Sequence, residues 1–167
     1  MGKDEILESA LRVYLRNPKA TVHEIAEEAG VSKSTIFYYF KNKSNLQKEL
    51  LLYAIRKFSP WESTIEDAVR RWLRSTVENP GLTRLFYTLF DDLSKSDPEF
   101  VREVCERSFK RIAELLEREG FRNARDLATL LLAILDGLSL YAIYIDLDVT
   151  KCEDTILRML ERMKDEG

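Results

Sequence analysis

The stretch at residues 21–43 constrains the fold of this chain more than any other part of the sequence. Thr21 can cap a helix, and Glu24 lies three residues on, where its carboxylate can complete a capping box. Gly30 then allows the positive φ at which a helix ends within one residue. Ser32 can cap a second helix that ends near residue 39. Two short helices joined by a tight glycine-containing turn predict a helix-turn-helix, whose second helix reads the major groove of DNA.

The charge of this stretch favours a nucleic-acid partner, although the charge of the whole chain does not. The full chain has a formal net charge of −3, whereas residues 30–48 contain no acidic residue. The same residues contain a run of four aromatic side chains and the lysines Lys33, Lys41, Lys43 and Lys48. Lysines neutralise phosphates, and tyrosine hydroxyls donate to phosphate oxygens. The alternative is an ordinary helical hairpin with a solvated basic face.

The amino-terminal third of the chain resembles the DNA-binding domain of TetR-type (tetracycline-repressor-like) transcriptional regulators. The most specific part of the resemblance is the pattern T-V-x-x-I-A-x-x-A-G-V-S-x-S-T-I-F-Y-Y-F-x-N-K, which begins at Thr21. It implies a three-helix DNA-binding domain at residues 1–45, followed by a helical ligand-binding and dimerisation domain at residues 46–167. The residues after the motif carry no family signature, so they must be interpreted from their own pattern.

The remaining sequence predicts helices throughout, and we expect an all-α fold of about nine helices with short loops. The expected helices cover residues 3–16, 22–29, 33–39, 44–58, 60–78, 82–93, 98–119, 123–147 and 150–164. The predicted caps of the later helices are Ser44, Ser59, Asp97, Asn123 and Thr150. Most of them have an acidic or amide side chain three residues on, as a capping box requires.

One of these segments, residues 127–147, is apolar enough and long enough to span a membrane. Asp136 lies near its middle, and a charge at the centre of a bilayer costs at least ~2.5 kcal/mol. We therefore expect no membrane contact. A helix that is apolar on nearly all sides must be covered on both sides.

The cover that this pattern predicts is a second copy of the chain. One face of the apolar helix is expected to pack in its own core and the other against the partner. The following helix has an apolar stripe of its own, formed by Ile156, Leu157, Leu160 and Met163. Two helices from each copy predict a four-helix homodimer interface with two-fold symmetry. TetR-type regulators dimerise in this way, so the resemblance implies the same homodimer.

The resemblance also implies which side chains contact DNA. Lys33, Ser34 and Phe37 align with positions that reach base edges, where a lysine can donate to guanine and an aromatic ring can contact a thymine methyl group. For Phe37 the alternative is a ring in the hydrophobic core. The other candidates, several of them aligned with phosphate-contacting positions, are Thr21, His23, Thr35, Tyr38, Tyr39, Lys41 and Lys43. For His23 the alternative is a plain exposed histidine.

An effector would bind the carboxy-terminal part of the chain, as the resemblance implies. Aromatic residues are frequent there, and the alternative for most of them is the hydrophobic core. The candidate pocket residues are Trp72, Phe86, Phe90 and Tyr141. We expect a small hydrophobic effector that tilts the fourth helix. The tilt would change the separation of the two reading heads, the DNA-binding domains of the two copies, which is ~34 Å or a multiple of it on DNA.

The sequence gives little support to an enzyme. It has no glycine-rich phosphate loop, no paired histidines and no nucleophile with an evident base. Cys105 and Cys152 lack the spacing of metal ligands, so we expect no metal and no cofactor, and with no signal peptide we expect a cytoplasmic protein. The predicted function is a repressor that binds a palindromic double-stranded DNA operator as a homodimer. The alternatives are a constitutive regulator without a ligand and a helical protein-interaction adaptor.

Overall fold

Helices make up most of residues 2–58 and 64–165, the part of the chain that this computed structural model describes. Those residues contain no strand, which confirms the predicted all-α class. The helices are α1 (Lys3–Arg16), α2 (Val22–Ala29), α3 (Lys33–Phe40), α4 (Lys43–Phe58), α5 (Ile65–Glu78), α6 (Pro80–Ser96), α7 (Pro98–Arg118), α8 (Ala124–Ile145) and α9 (Glu153–Asp165), with a 3-10 helix at Val149–Cys152.

The contacts between residues divide the chain into two units. The amino-terminal unit contains α1 to α4 and Gly81–Val101, and therefore nearly all of α6 and the first residues of α7. The carboxy-terminal unit contains α5, the rest of α7, α8 and α9. This division concerns packing, whereas the expected boundary after residue 45 separates two functions and stays a prediction.

The amino-terminal unit has a core to which each of its helices contributes apolar side chains at helical spacing. α2 contacts α1 and α3, and α4 contacts α1 and α3. The buried residues include Ile6, Leu7, Ala10, Tyr14, Ile25, Ala29, Ile36, Phe40, Leu46, Leu50, Leu85, Leu89 and Leu93. Burial of this kind stabilises a fold by roughly 25 cal/mol per Å² of apolar surface.

Within this unit, the start of α6 lies against the end of α1. A Cβ atom added to Gly81 would be 2.9 Å from the carbonyl oxygen of Leu15, closer than side-chain atoms approach backbone. Glycine is therefore required at this position by the closeness of the two backbones and not by its own dihedral angles.

The carboxy-terminal unit is organised around α8, which contacts α5 and the 3-10 helix, while α9 contacts α5. Its core contains Val69, Leu73, Ile112, Leu116, Ala128, Leu131, Leu135, Val149, Ile156 and Leu160. Trp72 packs against this core, and its indole Nε1 donates to Ser139 Oγ at 2.9 Å. Thr76 Oγ1 lies 3.1 Å from the same hydroxyl, so this buried polar group has partners.

Two of the predicted helix caps are wrong, because a neighbouring side chain takes the role in each case. Asn42 rather than Ser44 caps α4: its Oδ1 accepts a 2.8 Å hydrogen bond from the Asn45 amide. Asp148 rather than Thr150 begins the last helical stretch, since its Oδ1 accepts from the Thr150 amide at 3.2 Å. The 3-10 helix then precedes α9.

The other predicted caps have different outcomes. Asp97 is confirmed, because its side chain accepts from a backbone amide in the first turn of α7 at 3.1 Å. Asn123 precedes α8 with a left-handed backbone, φ +53°, and its side chain makes no capping hydrogen bond. Ser59 lies outside the described residues, and Thr64 caps α5.

Candidate nucleic-acid interface

The turn between α2 and α3 is built as the sequence predicts. Thr21 Oγ1 accepts from the Glu24 amide at 3.3 Å, and Glu24 Oε2 accepts from the Thr21 amide at 2.7 Å, which forms the capping box. Gly30 ends α2 with φ +65°. Ser32 Oγ accepts from the Thr35 amide at 3.1 Å and caps α3. Short-range hydrogen bonds therefore fix where the candidate recognition helix, α3, begins.

One side of α3 is buried and the other is open. Ile36 and Phe40 are 0% and 1% exposed, which fixes the helix on the core of its unit. Tyr38 is 81% exposed and Phe37 is 42% exposed. The core alternative for Phe37 is therefore wrong, and its ring lies on the same open side as Lys33 and Ser34, one turn earlier. We name this open side the α3 face, defined by Lys33, Ser34, Phe37 and Tyr38.

The positive charge beside the α3 face is not neutralised by any carboxylate that the structure describes. Within residues 2–58 and 64–165, no carboxylate forms an ion pair with Lys33, Lys41 or Lys43. Lys48, the fourth lysine of the acid-free stretch, behaves differently. Its Nζ pairs with Asp97 and lies 5.6 Å from the centre of the Phe100 ring. We therefore remove Lys48 from the charges available to a phosphate.

A strained turn joins α3 to α4. Lys41 has φ +66° and ψ −43°, and the Asn42 amide donates to the Phe40 carbonyl oxygen at 2.8 Å, which closes a γ-turn. Residues other than glycine seldom adopt such dihedral angles, and strain of this kind clusters at functional sites. The turn places Lys43 in the first turn of α4, where free amides and the helix dipole favour an anion.

The hydroxyl groups at the start of α3 are bonded to one another. Ser32 Oγ lies 2.6 Å from Ser34 Oγ and 2.9 Å from Thr35 Oγ1. Ser34 and Thr35 can still accept or donate toward DNA, because a hydroxyl has one donor and two acceptor positions. Their orientation is set before any ligand binds, which reduces the entropy that binding must overcome.

The remaining candidates lie at the edge of this surface. His23 is exposed and its Nε2 is 3.2 Å from Glu27 Oε1, a contact that strengthens when the imidazole is protonated. Tyr39 is half-buried, and its ring meets that of Tyr38 edge-on with centroids 5.4 Å apart. The Thr21 hydroxyl donates to its own capping partner at 2.8 Å, so its first role is structural.

Ion pairs between α1 and α2 support the platform under the α3 face. Arg12 Nε and Arg16 Nη2 donate to the two oxygens of Glu28 at 2.9 and 2.5 Å. These hydrogen bonds, first that of Arg12 and then that of Arg16, hold the pKa of Glu28 below its ordinary value. The hydrogen bonds of the capping box, above all from the Thr21 amide, lower the pKa of Glu24 in the same way.

The comparison with sequence families agrees with this geometry. Residues 6–50, which include the whole of α2 and α3, match the family described as bacterial regulatory proteins, tetR family. Residues 6–50 therefore form a DNA-binding domain of the tetR family. The chain is also 27% identical over 101 residues to the HTH-type transcriptional repressor LfrR of Mycolicibacterium smegmatis. The match covers 56% of this chain and 52% of that protein, so the chain spans about half the length of the curated relative it matches.

Solved structures share the fold over nearly the whole chain. The fatty acid degradation regulator FadR from Bacillus halodurans has a TM-score of 0.75 at 21% identity, covering 96% of this chain and 95% of its own. The multidrug binding protein EbrR, complexed with imidazole, has a TM-score of 0.69 at 20% identity, with 94% and 93% covered. At such identities the likeness concerns the fold alone.

The four candidate pocket residues lie in different units. Trp72 and Tyr141 belong to the carboxy-terminal unit, and Phe86 and Phe90 belong to the amino-terminal unit. Tyr141 is 57% exposed, whereas Phe86 and Phe90 are partly buried. A groove of about 380 Å³ in the carboxy-terminal unit lies between α5 and α9, and both apolar residues, such as Phe121 and Leu157, and charged side chains line it. None of the four candidates lines that groove, and the pocket stays a prediction.

The exposed side of α8 is largely apolar, as the sequence pattern predicts, although Arg125, Asp126, Thr129 and Asp136 are also exposed on this helix. The large apolar side chains exposed on it are Leu130, Tyr141, Tyr144 and Ile145. We name this surface the α8 face, and it also includes the small residues Ala133 and Gly137. α8 is long and apolar enough to cross a membrane by length and composition, and it is the one such helix in the described part of the chain.

The expected contribution of α9 to a dimer is partly wrong. Ile156 and Leu160 are buried in the core of their own unit, so they cannot reach a second copy. Met163 is exposed and can do so. In the described residues no group of three or more metal-ligating side chains comes together, and Cys105 and Cys152 are free thiols.

Proposed function

We propose that this chain is a DNA-binding transcriptional repressor that inserts the α3 face into the major groove of an operator. The observation that supports this most directly is the combination of an exposed recognition helix with lysines that no described carboxylate neutralises. Base edges are read by side chains on such a face, and phosphates are held by the lysines beside it.

The active form in this proposal is a homodimer joined through the α8 face. Leu130, Tyr141 and Tyr144 expose large apolar side chains along one helix, and exposed apolar surface of this kind marks interaction sites. Ala133 and Gly137 lie between them and permit a second helix to approach closely. A two-fold axis through this face doubles the DNA contacts and predicts an operator with an inverted repeat.

An effector that releases the DNA is the finer part of the proposal. We infer a small hydrophobic ligand because the aromatic candidates are concentrated in α5, α6 and α8. The names of two structural relatives, a fatty acid degradation regulator and a multidrug binding protein, concern hydrophobic molecules and point in the same direction. Release would require the ligand to bind the two conformations with different affinity, by ~1–3 kcal/mol.

The test begins with duplexes selected by the purified protein from a random-sequence library. We expect enrichment of an inverted repeat and an affinity that falls steeply as salt rises. A protein that enriches no sequence at any salt concentration would contradict the repressor and favour the adaptor.

The effector is tested on the selected complex. Saturated fatty acids of increasing length and hydrophobic cations are titrated against it, and DNA release is followed by fluorescence anisotropy. Release by one class, with no effect of a short polar acid as the control, supports the effector. Retention of DNA with every compound would leave a constitutive repressor.

A further inference from the structure

A buried amide in α4 is not explained by the DNA contacts. Gln47 is 4% exposed, and its Nε2 donates to Asp92 Oδ2 in α6 at 2.7 Å. The same nitrogen is 3.5 Å from the hydroxyl of Tyr14 in α1, which is fully buried. Burial raises the pKa of Tyr14 to about 12, so the phenol stays protonated at neutral pH. One amide thus connects three helices of the amino-terminal unit.

Two further polar contacts lie on the same side of α4. Ser44 Oγ is 3.2 Å from Ser96 Oγ at the end of α6. Lys48 pairs with Asp97, which also caps α7. Positions 47 and 48 lie about one helical turn after position 44, so the three side chains share one face of α4. We name the contacts of Ser44, Gln47 and Lys48 with α6 and the start of α7 the α4 latch.

The latch fixes the position of α4 along α6 in a way that apolar packing alone would not. Leucines such as Leu46 and Leu50 can adjust to a small shift of a neighbouring helix. A buried amide cannot, because a shift of one residue removes the Gln47 amide from its acceptor, the Asp92 carboxylate, at a site with little access to water. Buried polar groups therefore select one arrangement among several that apolar contacts permit.

The position of α4 is also the position of the DNA-contacting groups. Only Lys41 and Asn42 lie between α3 and α4, and they form the strained γ-turn. Lys43, in the first turn of α4, is itself a proposed phosphate contact. Because this link is so short, a change in the placement of α4 should also move α3 and the α3 face.

We propose that Gln47 is a positioning residue for DNA binding: through its hydrogen bond to Asp92, it holds α4 in the one placement that presents the α3 face to the groove. The proposal rests on the repressor function. It assigns to α6 a part in that function, as the support against which the recognition helix is oriented. Breaking the bond should weaken DNA binding without removing any group that contacts DNA.

The experiment compares four full-length proteins at pH 8: wild type, Gln47→Glu, Asp92→Asn and the double variant. Gln47→Glu places two carboxylates together, whereas the double variant exchanges donor and acceptor and restores the hydrogen bond. Each is titrated against the duplex that the wild-type protein selects from a random-sequence library, and thermal unfolding checks that each is folded.

We expect Gln47→Glu to weaken DNA binding about tenfold, and the double variant to return to within about threefold of the wild type. Asp92→Asn alone retains an acceptor and should bind nearly as the wild type does. Thermal unfolding shows whether each variant is folded. Among folded variants, a loss of DNA affinity that the exchanged pair restores is caused by the hydrogen bond and not by a loss of stability. If Gln47→Glu does not fold, Gln47→Met replaces it, since methionine fills the same space without a donor.

Two results would overturn the proposal. A folded Gln47→Glu or Gln47→Met variant with wild-type affinity shows that α4 needs no polar anchor. A double variant that binds as weakly as the single variant shows that the bond to Asp92 is not the cause. Failure of the wild-type protein to select any duplex is a different outcome, because it rejects the repressor function and this inference with it.

Discussion

Two surfaces of the molecule expose aromatic side chains, and they differ in what surrounds those rings. On the α3 face, Phe37 and Tyr38 are accompanied by lysines that pair with no described carboxylate. On the α8 face, Tyr141 and Tyr144 are accompanied by leucine, alanine and glycine. Exposure alone therefore does not identify a partner. Cations beside the rings favour a phosphate backbone, and small apolar neighbours favour another helix.

Charge placed on the α8 face should have the largest effect, because it would make that surface resemble the α3 face. Leu130→Glu should convert the proposed homodimer to a monomer, because a carboxylate in an apolar interface has no partner. Losing the second reading head removes a gain that is typically about 100-fold or more, so DNA affinity should fall by at least that factor. Sedimentation velocity and DNA titration measure the two effects, with Leu130→Met as the control. A Leu130→Glu protein that stays dimeric would assign the α8 face another role.

On and beside the α3 face, two lysines should contribute to DNA binding in different ways. Lys43→Ala should weaken binding to all duplexes alike and reduce the slope of log affinity against log salt by about one per subunit. Lys33→Ala should instead reduce discrimination at one base position by about 1–3 kcal/mol. Titrations of the selected duplex and single-base variants across salt separate them, and Lys110→Ala in α7 serves as the control for loss of charge. Equal behaviour of the two variants would mean that Lys33 is another phosphate contact.

A smaller effect is expected from the strained turn. Lys41→Gly and Lys41→Ala remove the same charge, but only glycine adopts φ +66° without strain. We expect the glycine variant to be more stable than the alanine variant by about 1 kcal/mol in the free energy of unfolding, measured by urea denaturation. The opposite order would show that Lys41 is not strained in solution.

The smallest effect concerns the ion pairs that support the α3 face. The pKa of Glu28 is lowered in the folded protein, so its contribution to stability is present above its unfolded pKa, about 4.5, and is lost as the pH falls through the folded value. Glu28→Gln should therefore reduce the loss of stability between pH 6 and pH 3. Denaturant midpoints at the two pH values give the measurement. An unchanged pH dependence would show that both arginines are satisfied by water.

The sequence predicts features that depend on near neighbours in the chain better than contacts between distant residues. Thr21, Glu24, Gly30 and Ser32 act within three residues of their partners, so their roles follow from spacing. The partner of Gln47 lies 45 residues away, and nothing in the local pattern selects it. The local pattern groups Lys48 with the DNA-facing lysines for the same reason, since its partner Asp97 is also distant in the sequence.

Helix caps are hard to predict where two nearby residues favour the N-cap position about equally. Asn42 and Ser44 both favour the cap position, and the γ-turn at Lys41 decides between them. Asp148 precedes Thr150 by two residues, and a 3-10 helix, which the apolar pattern does not predict, decides in favour of the aspartate. Ile156 and Leu160 are buried against their own unit. An apolar stripe shows that a helix packs against something, but it does not show whether the neighbour belongs to the same chain or to a second copy.

The contact between Gly81 and the carbonyl of Leu15 has a practical consequence. Any side chain at position 81 would act as a wedge, since even a methyl group would meet backbone at 2.9 Å. Graded wedges, from alanine upward, would push α6 away from α1 by increasing steps while leaving every lysine and every α8 side chain unaltered. Substitutions at this single site should therefore vary the distance between α6 and α1 without changing any residue of the α3 face or the α8 face.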